Sequence, residues 1–255
     1  MKVIMEMTDE SSDWLEEEMC QQDATKYRAI VARLNFLAQD RADIQYPSKE
    51  CSRFMAKPLN KSWADLRRLG RYLLGKPRVV HMFAWQDEPT VLDVYSDSNW
   101  AGCHQTRKST SGACYMYGGH LLRSYSKTQA VLALSSAEAE LYALTSAASD
   151  GMGMKLMMQE YGIQCEVMVH VDASAAIGIA QRKGLGKIRH LDVQSLWIQD
   201  ALRQRRIGIS KVPGADNPSD LMTKHQDAGT IGKMMTLMGL TLRGGRAQSA
   251  PKLIR

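Results

Sequence analysis

Only five cysteines stand in 255 residues, at positions 20, 51, 103, 114 and 165. The odd number and the lack of any Cys-x-x-Cys pair argue against a disulfide framework and a zinc ribbon, leaving buried or spectator thiols. No apolar run reaches the roughly eighteen residues that a membrane helix needs. The start, Met1 to Met7, has too short an apolar stretch and the wrong flanks for a signal peptide. A soluble, intracellular chain is the expectation. Also missing are a Ser–His–Asp arrangement, a Gly-rich phosphate loop and a His-Glu-x-x-His helix, so three common catalytic devices are set aside.

Charge is scarce in one sign at each end. Residues 1–23 hold eight acids against Lys2 alone, a net of −7, and the remainder of the +6 chain therefore carries +13. From Lys233 to Arg255 there is no acid at all. A body this basic suits a polyanionic partner, of which nucleic acid is the commonest. The acidic lead reads as a linker.

Between these ends the apolar spacing gives an order of elements. Ile30, Val31, Leu34 and Leu37 recur at helical spacing, Tyr46-Pro47 interrupts, and a second helix is expected from about Ser48 to Met55. A third helix carries Trp63, Leu66, Leu69 and Leu73 on one stripe, with Ser62 and Asp65 as a capping box and Gly75-Lys76-Pro77 as its stop. Arg67, Arg68 and Arg71 gather on its other side, either as a solvated cationic face or as a surface for a phosphate backbone. After Pro89 the texture becomes that of strands. Thr90–Asp97 reads as a strand ending on a carboxylate, and Gly118-Gly119 joins two further strands in a hairpin. Ser135 and Glu138 open a helix expected to run to about Ala148. Met168–Asp172 is a short strand that again ends on an aspartate, with a helix from Ser174, another over 188–202, a last strand over 206–212, and a helical tail from Asp220. The order implies an α/β fold, a mixed sheet with helices on its faces.

Two strands ending in aspartate, Asp97 and Asp172, place acids where ligands gather in α/β sheets. On the helix from Ser136, the buried stripe Ala137, Leu141, Leu144 and Ala148 leaves Glu140 at its edge, aimed toward the sheet, while Glu138 has a capping task. Asp220, read alone, is a first-turn acid beside a helix dipole. Acids converging on one spot would repel one another unless divalent cations lay between them. Magnesium, with its preference for hard oxygen ligands, is the expected ion, and manganese is a substitute. Two such ions about 4 Å apart could support an in-line displacement at phosphorus.

The runs Tyr95-Ser96-Asp97-Ser98-Asn99-Trp100-Ala101-Gly102, Arg107-Lys108-Ser109-Thr110-Ser111-Gly112 and Ser135-Ser136-Ala137-Glu138-Ala139-Glu140 resemble the ribonuclease H domain of copia-type long-terminal-repeat retrotransposons. Arg189-His190-Leu191-Asp192-Val193 and Asn217-Pro218-Ser219-Asp220-Leu221-Met222-Thr223-Lys224 continue the likeness in the same order. Upstream, Tyr27–Val31, Arg41–Ile44, Ser52–Met55 and Leu69–Gly75 are similar to the segment joining the reverse transcriptase to its ribonuclease H.

The resemblance implies a ribonuclease H-like mixed five-stranded sheet flanked by helices over 89–225. A small helical thumb or connection segment over 24–88 precedes it, the acidic lead covers 1–23 and a basic tail covers 226–255. It implies a two-metal endonuclease that cuts the RNA strand of RNA–DNA hybrids, with Asp97, Glu140, Asp172 and Asp220 as the metal-binding acids. It reverses the isolated reading of Asp220. It further implies that Ser135 and Ser136 meet the hybrid's minor groove and that Lys108, Lys127, Arg189 and His190 contact phosphates.

The polymerase's own catalytic palm is absent, so no polymerisation is expected, and the polymerase portion of the same polyprotein is an expected partner. Elements of this kind work in cytoplasmic particles and near the nucleus, which leaves the compartment open. Asn99 stands where the family often has a second acid, and no histidine precedes Asp220 in its loop. A catalytically silent nucleic-acid-binding remnant and an integrase-like or resolvase nuclease are the alternatives. In the basic tail a short helix, Met234–Leu240, is expected before disorder.

Overall fold

A computed structural model describes residues 15–184 and 192–249, the side chains of 192–195 excepted. It divides into two compact units, one running up to Val80 and taken up again from Thr241, the other spanning His81–Leu240. Among the described residues no helix is long and apolar enough to cross a membrane.

In the first unit α1 (Gln21–Leu37), α2 (Gln45–Ser52) and α3 (Asn60–Gly75) close around Tyr27, Val31, Leu34, Ile44, Cys51, Leu66 and Leu69. The helical spacing of these residues puts them on inward stripes. Two local expectations are corrected. Pro47 does not delay α2 but sits in its first turn, where a missing N–H breaks no helical hydrogen bond. The expected Ser62–Asp65 capping box does not form, because α3 starts earlier, after Leu59, and Ser62 is buried. The first N–H of α3, on Asn60, donates instead to the Glu17 carbonyl at 2.9 Å, and the Met19 N–H donates to the Pro58 carbonyl at 3.0 Å. Backbone from the end of the acidic stretch therefore does what a side-chain cap would have done.

A buried ion pair also ties this unit together. Arg41 donates Nε and Nη2 to the two Asp43 oxygens at 2.9 and 2.7 Å, Nη2 also reaches the Lys76 carbonyl at 2.9 Å, and the Tyr72 hydroxyl donates to Asp43 at 2.8 Å. β1 (Arg78–His81) pairs with β7 (Leu240–Arg243) in a two-stranded sheet. The disorder expected after Leu240 is thus replaced, at first, by a strand: Leu240 and Leu242 alternate with Thr241 and Arg243, and Leu240 is buried.

The second unit is the α/β body. Its sheet has the order β4-β3-β2-β5-β6, from β2 (Val91–Asn99), β3 (Thr110–Tyr117), β4 (His120–Thr128), β5 (Glu166–Val171) and β6 (Gly208–Lys211). β2–β3 and β3–β4 pair antiparallel, while β2–β5 and β5–β6 pair parallel. This is the five-stranded mixed sheet flanked by helices expected of a ribonuclease H-like domain. Alternation along the strands turns Leu92, Val94, Ala113, Tyr115, Val167 and Val169 onto one face, into a core shared with α4 (Ser136–Glu160), α5 (Ser174–Gln181) and α6 (Asp192–Arg203).

α4 continues well past Ala148, where the sequence suggested a stop. Gly151 is not a terminator: a Cβ there would stand 3.0 Å from Val94 and 3.2 Å from Val167. The glycine lets the helix lie close on the sheet, and that packing outweighs its poor helix propensity of about 1 kcal/mol. The helical tail expected from Asp220 is also different. Pro218–Met222 is a single 3-10 turn lying against β2 and β3, and α7 (Ala228–Leu237) follows it.

This turn is seated by a glycine. A Cβ on Gly112 would come within 2.6 Å of Met222 Cβ, 2.8 Å of Thr223 Cγ2 and 3.0 Å of the Ser219 carbonyl. We expect Gly112→Ala to destabilise the protein by about 1–3 kcal/mol, the range for overpacking a filled site, as measured by urea unfolding. A wild-type midpoint would show that the turn yields freely.

Candidate metal centre

Strand register creates the first pair of acids. β2 and β5 run parallel with Ser96 opposite Val171, so the next residues, Asp97 and Asp172, emerge together at one end of the sheet. Asp97 lies two residues before the end of β2 and is 3% exposed; Asp172 follows the last residue of β5 and is half-buried.

The third acid comes from the start of α4. Ser135 caps this helix by accepting the Glu138 N–H at 3.2 Å, and Glu138 accepts the Leu134 N–H at 2.8 Å and the Tyr142 hydroxyl at 3.1 Å. Glu138 is spent on the cap, and Glu140 is the glutamate delivered to the sheet. Its Oε1 accepts from the Ser98 N–H at 3.2 Å and the Ser98 hydroxyl at 2.9 Å. Its Oε2 is buried without a hydrogen-bond partner. Ligand oxygens of Asp97, Glu140 and Asp172 all lie within 4.8 Å of one another.

Asp220 arrives on the 3-10 turn. Asn217, fully buried, accepts the Ser219 N–H at 3.2 Å with its side-chain oxygen and donates Nδ2 to the Ser96 carbonyl at 3.0 Å. One side chain thereby folds the turn and pins it to the strand beside Asp97. Asp220 stands outside the tight trio, yet its charge acts on both Asp97 and Asp172. The Thr223 hydroxyl donates to Asp97 Oδ2, and Lys224 Nζ lies 2.9 Å from Asp220 Oδ1.

The electrostatics are those of acids held too close together. Burial pushes Glu140 up to about 8, and the Asp97 charge adds to the shift against the hydrogen bonds from Ser98. Asp97 is raised by burial first and then by Asp220, with Thr223 and Lys224 opposing. Asp172 is raised by burial and by Asp220. Burial works against the Lys224 ammonium, but the bond to Asp220 and the charges of Asp97, Asp220 and Asp172 hold its pKa above the ordinary lysine value. A carboxylate with a buried, unpaired oxygen, grouped with two more carboxylates, suits a divalent cation, which would favour the ionised forms.

The other residues singled out in the sequence are dispersed. Ser135 and Ser136 are exposed at the start of α4. Lys127 is exposed on β4, in register with Ser111 and, one strand further, Ser98, so it shares the acids' end of the sheet. Lys108 is half-buried in the loop before β3. Arg68 and Arg71 are exposed and Arg67 half-buried on α3, in the helical unit. Arg189 and His190 lie outside the described residues. Sequence reasoning passed over Ser98, Asn217, Thr223 and Lys224 as functional positions, although all four fall within the quoted motifs.

The chain is 29% identical over 201 residues to the retrovirus-related Pol polyprotein from transposon TNT 1-94 of Nicotiana tabacum; the match covers 78% of this chain and 15% of that protein. It is also 29% identical over 205 residues to the corresponding polyprotein from transposon RE2 of Arabidopsis thaliana, covering 79% of this chain and 14% of that one. The chain thus spans about one seventh of the length of these relatives. No protein-family model matches it. Among solved structures, LC11-RNase H1, isolated from compost by a metagenomic approach, superposes with a TM-score of 0.40 at 18% identity, over 52% of this chain and 93% of that one.

The raised acids fix a sign for stability. Groups whose folded pKa exceeds the unfolded value favour the folded state while protonated, a contribution present below about pH 4 and lost as pH rises toward 8. In EDTA at pH 8.5, Glu140→Gln should therefore melt higher than the wild type, by roughly 2–4 °C per kcal/mol relieved. Near pH 4 the gain should vanish. Thermal melts at the two pH values check this, and equal melting at pH 8.5 would mean that Glu140 is not strained.

Proposed function

We propose, from its likeness to the retrovirus-related Pol polyproteins of transposons, that the chain is a metal-dependent endonuclease hydrolysing the RNA strand of RNA–DNA hybrids. The observation carrying this reading is the convergence of Asp97, Glu140 and Asp172, with a buried Glu140 oxygen left without a protein partner.

Asp97, Glu140, Asp172 and Asp220 would hold the metal, magnesium by the hardness of an all-carboxylate donor set. Such ions activate water and steady a departing oxygen in phosphodiester hydrolysis. The protein's own residues supply the arrangement. Ser98 fixes one oxygen of Glu140 and leaves the other, buried, without a protein partner, and Thr223 is bonded to Asp97. Asn217 ties the Asp220 turn to β2. Exposed Ser135 and Ser136 suit a hybrid's wide minor groove, where RNA 2′-hydroxyls are displayed, and Lys108 and Lys127 suit its phosphates. Arg67, Arg68 and Arg71, on α3 of the helical unit, are further candidates for phosphate contact, and the polymerase portion of the polyprotein is the expected partner.

The test is cleavage of a labelled RNA–DNA hybrid with magnesium or with EDTA, beside single-stranded RNA and duplex DNA. Cutting confined to the hybrid's RNA strand and abolished by EDTA is expected. Asp97→Asn and Asp172→Asn should each lower the rate by about a hundredfold or more, the scale of several kcal/mol that metal positioning provides, with circular dichroism unchanged. Binding without cutting in magnesium or manganese would favour a silent nucleic-acid-binding remnant instead. Hybrid affinity should also fall steeply between 50 and 200 mM salt, roughly a hundredfold or more if several phosphates are contacted. A flat response would remove Lys108, Lys127 and the α3 arginines as phosphate contacts.

A further inference from the structure

Lys224 is the one feature of the acid cluster that a metal site does not need. Its ammonium lies 2.9 Å from Asp220 Oδ1, four residues away, and its side chain is 46% exposed. Its charge acts on Asp97 and Asp172 as well as on Asp220. The neighbouring residue, Thr223, is bonded to Asp97, so the backbone that carries Lys224 is held against the acids. The side chain itself is long, half in water and free to swing out. A lysine in this position carries a positive charge into the cluster without any ion bound.

We propose that Lys224 is a built-in counter-cation that shares the Asp220 side of the cluster with the divalent ion and is displaced when the ion binds. The proposal rests on the metal-dependent reading above. In the ion-free protein Lys224 offsets the repulsion among carboxylates that cannot all ionise unaided. When a divalent ion arrives, its double charge and its demand for several oxygens at short range favour it over a single ammonium. The lysine then moves toward solvent at little cost, because a half-exposed ion pair is weak. Lys224 is thus a positioning residue for Asp220 and a competitor for it. It keeps the empty site assembled and lowers affinity for the ion that fills it.

The experiment is calorimetric titration of the full chain, without nucleic acid, with magnesium and with manganese, comparing wild type, Lys224→Met and Lys224→Arg. Lys224→Met should bind the ions about tenfold more tightly, the scale for removing one partly screened charge beside the site, while Lys224→Arg stays near wild type. In EDTA at pH 8.5 Lys224→Met should melt below wild type, and saturating magnesium should close that gap. Unchanged or weaker binding by Lys224→Met, with wild type still binding, would overturn the role of Lys224 and leave the metal centre standing. No binding by any of the three forms would overturn the metal centre and this proposal with it.

Discussion

Carboxylates brought together at the end of a sheet and shielded from water repel one another, and the local architecture is organised around holding them in place. Each acid gains little by being there: burial alone disfavours its charge, and its neighbours disfavour it further. What keeps them assembled is structure that would exist without them. The register of β2 against β5 is set by a run of buried Leu and Val residues, and it leaves Asp97 and Asp172 level. α4 is fixed by its Ser135 cap and by the close approach at Gly151, and it carries Glu140 along. Stability made in the core is thereby spent on an arrangement that is unfavourable in itself.

The supporting hydrogen bonds have a common pattern. Ser98 and Thr223 each donate a hydroxyl to one oxygen of one acid, which restricts its rotation. Asn217 works through the backbone, satisfying the turn with its oxygen and the strand with its nitrogen. These are short polar side chains on rigid elements, the kind of support that fixes a ligand set to a fraction of an ångström.

Much of this was legible in the chain. Thr90–Asp97 and Met168–Asp172 both read as strands, and each was seen to end on a carboxylate. The choice of Glu140 over Glu138 followed from helical geometry and from recognising the cap. Asp220 was not accessible to such reasoning, since its place depends on Asn217 reaching Ser96 across 121 residues, and only the likeness to copia-type sequences singled it out. Local rules also misplaced several boundaries. Pro47 and Ser62 were read by their intrinsic tendencies, whereas Pro47 sits in a first turn that needs no N–H and the start of α3 finds a backbone acceptor at Glu17; α4 runs past Ala148 because Gly151 lets it lie close on the sheet.

The brace at Asn217 bears on the order in which a newly made chain becomes competent. Synthesis supplies residue 97, then 140, then 172, and those three points can assemble once β5 has paired with β2. The turn that brings Asp220, and with it Thr223 and Lys224, comes dozens of residues later and docks onto a strand already in place. A chain made only as far as β5 contains Asp97 and Glu140, with Asp172 next, but neither Asp220 nor Thr223 and Lys224. Pairing β5 with β2 and docking the Asp220 turn are thus distinct structural steps, and the second depends on the buried Asn217 amide.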